Sequence, residues 1–77
     1  EDEYIFSARV EVDYLNEMCG LEIPEGEYET LAGLIVYVNE DIPKKDDEIL
    51  IERFLIKILS AENNRIEKVK IKKLEIN

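Results

Sequence analysis

Apolar residues fall in short blocks along the chain, and the spacing within each block predicts its element. Tyr4 to Val10 is rich in β-forming side chains after a charged lead-in and reads as a short strand. Val12, Leu15, Met18 and Cys19 then recur at helical spacing up to Gly20, a natural stop, so they predict a short first helix with those four residues inward. Leu21-Glu22-Ile23-Pro24-Glu25-Gly26 reads as a connecting loop. Leu31, Leu34, Ile35 and Val38 follow the i, i+3, i+4, i+7 rule and predict a second helix, with Glu27 and Glu29 near its positive end. Gly33 inside that helix costs about 1 kcal/mol in propensity relative to Ala, which points to a close approach by neighbouring backbone. Asn39 stands where a left-handed cap is expected, and Ile42-Pro43 stops the helix.

The second half changes period. Lys44-Lys45-Asp46-Asp47 is a polar turn leading into a strand at Glu48-Ile49-Leu50-Ile51. Past Glu52-Arg53, the segment Phe54 to Leu59 alternates so that Ile56 and Ile58 share a face, which makes a hairpin. Asn63-Asn64 forms a tight turn, because Asn tolerates positive φ, and Arg65 to Ile71 returns as the last strand with Val69 and Ile71 on one face. The order β-α-α-β-β-β predicts an α+β fold, a mostly antiparallel sheet with both helices on one face. Leu31, Leu34, Ile35 and Val38 are expected to pack on Ile56, Ile58 and Val69.

With 77 residues, 45% of them hydrophobic and 38% charged, the chain reads as a single domain over 1–77. A domain of this size buries about 60% of the surface its unfolded chain exposes, enough for one core. No apolar run, that around Gly33 to Val38 included, approaches the roughly 18 residues that cross a bilayer. The sequence starts Glu1-Asp2-Glu3 without Met and reads as a fragment of a longer protein. A lone cysteine, Cys19, forms no internal disulfide; it favours a reducing, cytoplasmic setting and is expected to be a buried packing residue.

Charge narrows the partners. The net charge of −9 argues against nucleic acid, whose phosphates attract clustered Lys and Arg. Residues 1–52 carry 16 acidic and 3 basic residues, whereas residues 53–77 carry 3 acidic and 7 basic. Lys68, Lys70, Lys72 and Lys73 form the basic strip of the last strand. They either keep an edge strand soluble or face an acidic neighbour or membrane surface.

Catalytic constellations are missing. Without His and with one Cys, the usual zinc sets and the Ser-His or Cys-His pairs cannot be assembled, so no catalytic residue is assigned and the chain is not expected to be an enzyme. Asp46, Asp47 and Glu48 form the densest carboxylate cluster and are candidates for a hard cation, but lack the alternating spacing of a calcium loop. Gly20, Gly26 and Gly33 form no phosphate-binding loop.

Three separated stretches carry a resemblance. Tyr28-Glu29-Thr30-Leu31-Ala32-Gly33, then Ile42-Pro43-Lys44-Lys45-Asp46-Asp47-Glu48-Ile49, then Arg65-Ile66-Glu67-Lys68-Val69 resemble the motifs of the CorC/HlyC transporter-associated domain, in the same order. Val12-Asp13-Tyr14-Leu15-Asn16 resembles that family's L-x-x-L-N segment. Ala8, Asn39 and Asp46 stand where the family commonly has Gly. The resemblance implies a bacterial membrane protein with a membrane domain, a CBS pair and this domain on the cytoplasmic side, where it modulates magnesium or cobalt transport through the CBS pair or a second copy. It also implies a fold similar to part of the flavin-binding oxidase (PCMH-like) fold, so FAD enters by fold similarity only, and a binding module for FAD or an adenine nucleotide is the alternative. Tyr28, Thr30, Gly33, Pro43, Arg65, Ile66 and Val69 are its motif residues, taken as mainly structural: Thr30 as a cap, Gly33 as the place where the helix sits close to the sheet, Pro43 as a stop. Arg65 is expected to pair with Glu29 or another carboxylate of the second helix, with ligand contact as the other reading.

Overall fold

A computed structural model describes residues 3–75. The elements run β1 (Glu3–Ser7), α1 (Val12–Cys19), α2 (Leu31–Asn39), β2 (Glu48–Ile51), β3 (Phe54–Glu62) and β4 (Arg65–Lys73). The expected β-α-α-β-β-β order is the order found. All strand pairs are antiparallel, and the sheet order is β1-β4-β3-β2. β4 is therefore an interior strand, which overturns the reading of its lysines as protection for an exposed edge.

The hairpin turns follow from local chemistry. Asn63 and Asn64 both take positive φ (53° and 59°) between Glu62 and Arg65, as a two-residue turn with the right-handed twist of its strands requires. Glu52 takes a φ of 53° in the β2–β3 turn. Asp46 takes 74°, supplying the left-handed backbone of the turn that leads into β2. That turn is held to the sheet: Asp46 N–H donates to Ile58 O at 2.7 Å, and Ile58 N–H donates to Asp47 O at 2.9 Å. Leu59 on β3 and Glu67 on β4 have no ladder partner, and the Glu67 carbonyl accepts instead from Ala8 N–H at 3.0 Å. Ala8 is fully buried just past β1, and its carbonyl accepts from Ala32 N–H, so a small residue tied between sheet and α2 suffices there.

One core lies between the helices and one sheet face. Val12, Leu15, Leu31, Leu34 and Ile35 pack with Ile49, Ile51, Phe54, Ile56, Ile58, Ile66, Val69 and Ile71. Several expectations need correction. β1 ends at Ser7, because Ala8 and Arg9 turn the chain towards α1. Met18 and Cys19 are exposed; Gly20 turns left-handed at φ 63°, and the supposed loop residues Leu21 and Ile23 occupy the core in their place. Val38 is also exposed, because the apolar stripe of α2 is longer than the core beneath it, whereas Pro43 is buried. The left-handed cap of α2 is Glu40 (φ 63°), one residue after Asn39, which still belongs to the helix.

Candidate interaction surface

Side chains alternate along a strand, so every core residue of the sheet implies a neighbour on the opposite, helix-free face. Register assembles those neighbours into rows. One row runs Glu3, Lys72, Leu55, Leu50; the next runs Ile5, Lys70, Lys57, Glu48; a third runs Ser7, Lys68, Ser60. Lysines therefore hold the two central strands, while Glu3 and Glu48 sit on the two edge strands. Ile5 and Leu50 are 60% and 59% exposed on this face. Lys73 is opposite Phe54 and shares the parity of the core residues Val69 and Ile71, so it leaves the basic strip to which its sequence position assigned it.

Lys57 and Lys70 are direct cross-strand partners. Like charges directly opposite each other destabilise a sheet. The Glu3 carboxylate offsets part of this, 3.8 Å from Lys70 Nζ and 4.0 Å from Lys72 Nζ. Lys57 and Lys68 have no ion pair among the described residues. Lys57 was not among the candidates from sequence. Its outward parity is visible between Ile56 and Ile58, but its place beside Lys70 requires the register.

The motif residues sit on the other side or at the rim. Thr30 caps α2, its Oγ1 accepting from Gly33 N–H at 3.1 Å. A Cβ on Gly33 would meet Tyr28 Cβ at 3.0 Å, so the close approach that glycine permits is to Tyr28 in the preceding loop, which corrects the expected approach to the sheet. Tyr28 in turn donates to Pro24 O at 2.8 Å and packs its ring on Tyr37, centroids 5.4 Å apart. Burial, reinforced by Tyr37, Glu52 and Glu25, pushes the Tyr28 phenol above its ordinary value. Ile66 and Val69 are core residues. Arg65 is half exposed; its nearest carboxylate is Glu67 on its own strand, 3.7 Å from Nε, and not a helix residue, which corrects the expected pairing with Glu29.

The three acidic candidates do not converge. The Asp47 carboxylate is turned to Lys44 N–H at 2.8 Å, Asp46 is exposed in the turn, and Glu48 lies on the open sheet face. Among the described residues no group of three His, Cys, Asp or Glu side chains is placed to hold a metal ion. Neither of two clefts among the described residues suits a flavin. A cleft of about 290 Å³ is lined by Glu11, Asp13, Glu25 and Glu29, which would repel the cofactor's diphosphate. A second, of about 230 Å³ beside Arg65, is open and below the size of ordinary cofactor pockets.

Comparison with known proteins places these features in a family. The CorC_HlyC family model, described as a transporter associated domain, matches residues 1–75. A conserved protein of unknown function from Haemophilus influenzae Rd KW20 is 30% identical, with a TM-score of 0.87 over 94% of this chain and 89% of that one. The putative Mg2+ and Co2+ transporter (CorC) associated region from Neisseria meningitidis MC58 shares the fold, with a TM-score of 0.85 over 96% and 91% of the two chains at 20% identity. UPF0053 protein YegH of Escherichia coli K12 is 40% identical over 45 residues, which is 58% of this chain and 8% of that protein's length.

Proposed function

The chain belongs to the CorC/HlyC transporter-associated domain family, and we propose that it serves as a non-catalytic accessory domain that modulates magnesium or cobalt transport by a longer membrane protein. In this reading it lies on the cytoplasmic side, next to a CBS pair, and acts by contact through the open sheet face. The observation that carries the reading is the placement of Lys57 beside Lys70 in the middle of that face. An interior position removes edge protection as the reason for these lysines. Their mutual repulsion is a cost to the isolated sheet that an acidic neighbour relieves.

A differential contact of a few kcal/mol is enough to shift a two-state transporter, so regulation needs no chemistry within the domain. The likeness to the Neisseria transporter-associated region, although one of fold, agrees with this role. The test is to replace Lys57, Lys68, Lys70 and Lys72 by Glu in the longer protein and to measure divalent-cation flux with an ion-sensitive dye. Altered flux from a variant with unchanged expression and folded circular dichroism is the expected result. Wild-type flux would reduce the lysines to a solvated surface.

A further inference from the structure

Building on the sheet face as a contact surface, we propose that its occupant is the outer side of α1 from a second copy of this chain, so that copies join head to tail. α1 directs Val12 and Leu15 into the core. At about 100° per residue, Asp13, Glu17, Tyr14 and Met18 then fall in one arc of roughly 140° on the outer side. All are exposed or nearly so, with Tyr14 at 55% and Met18 at 63%. This arc pairs two carboxylates with two large apolar side chains. The sheet face pairs lysines with Ile5, Leu55 and Leu50, its chemical complement.

The wider field has the same sense. Between Arg9 and Lys44 there are nine acidic residues and no Lys or Arg, so the segment that carries α1 is acidic throughout. Width agrees as well. Strands about 4.8 Å apart put the two edge strands roughly 14 Å from each other, with Glu3 and Glu48 one row out of line, and a helix about 10–12 Å across fits between them over the central lysines. Symmetric contacts are unfavourable, since face on face brings Lys57 and Lys70 against lysines, and α1 on α1 brings carboxylates against carboxylates. An anionic bilayer, broad and flat, would meet Glu3 and Glu48 at both edges together with the lysines, whereas a helix can lie between the two carboxylates. The remaining contact is heterologous, which generates a ring or an open chain of copies.

Two variants each break one side. Lys57→Glu/Lys70→Glu alters the sheet face, and Asp13→Asn/Glu17→Gln/Met18→Gln alters the helix face while leaving both cores intact. Sedimentation equilibrium of the wild-type chain at low ionic strength, up to about 1 mM, should show mass rising with concentration, and that rise should vanish in about 0.5 M NaCl. Each variant alone should be a monomer, whereas an equimolar mixture should stop at a 1:1 heterodimer, because only one good face of each remains. A wild-type monomer throughout, or association that both variants retain, would overturn the proposal. So would capture by phosphatidylglycerol vesicles, abolished by Lys57→Glu/Lys70→Glu, in the absence of self-association. If the lysine variant alters flux in the longer protein but the chain stays monomeric, the second-copy assignment falls and the contact-surface reading stands.

Discussion

The side chain of Asn16 holds the backbone of Ile23 at both its polar groups, with Oδ1 accepting from Ile23 N–H at 2.7 Å and Nδ2 donating to Ile23 O at 2.8 Å. This clamp brings the chain after Gly20 back under α1, so that Leu21 and Ile23 fill the core. Removing it strands two partly buried backbone groups. We expect Asn16→Ala to cost about 1–3 kcal/mol, and Asn16→Asp to be destabilising as well because it loses the donor to Ile23 O. Urea denaturation measures both; an Asp variant as stable as wild type would show that one hydrogen bond is enough.

Leu34 is buried at the contact of α2 with the sheet. Leu34→Ala should cost about 2–5 kcal/mol, a large share of the stability of so small a domain. Val38→Ala, on the exposed end of the same stripe, should cost far less. Comparable losses at the two sites would contradict the observed division of the helix into a buried and an exposed part.

Glu40 closes α2 in the left-handed region at φ 63°, and it places a negative charge at the negative end of the helix dipole. Both features are unfavourable for Glu. Glu40→Gly should therefore raise stability by about 1 kcal/mol, seen as an upward shift of the urea midpoint. Asn39→Gly should lower it, since Asn39 is inside the helix.

Tyr28 links stability to alkaline pH. Its phenol is raised in the folded chain, first by burial and then by Tyr37, Glu52 and Glu25. Above the unfolded value of about 10, the unfolded chain has released a proton that the folded chain still holds, so stability falls as pH rises towards the folded value. Tyr28→Phe should lose the bond to Pro24 O at every pH but show a shallower decline between about pH 9 and pH 11. Parallel declines of the two proteins in urea titrations would assign the alkaline loss to other groups.

Sequence periodicity carried the fold a long way because each element has an unambiguous local signal. Alternation at Ile56 and Ile58, the Asn63-Asn64 turn and the spacing of Leu31, Leu34 and Ile35 each fix one element. What it missed depends on contacts distant in sequence. Met18 and Cys19 look like core by spacing, but a capture of Ile23 by Asn16 seven residues away decides which side chains go inside. The interaction surface was half visible. Lys68, Lys70 and Lys72 stand out as a basic run, yet only strand order shows that β4 is central, and only register sets Lys57 beside Lys70 and removes Lys73 from the group.

The most direct test is lysine acetylation footprinting, read by mass spectrometry, on the isolated chain and on the longer membrane protein that contains it. If the open sheet face is a contact surface, Lys57, Lys68, Lys70 and Lys72 should react several-fold more slowly in the longer protein, while Lys44 and Lys45, in the turn ahead of β2, should keep their reactivity. Equal protection factors for the four sheet lysines and the two turn lysines would contradict that assignment.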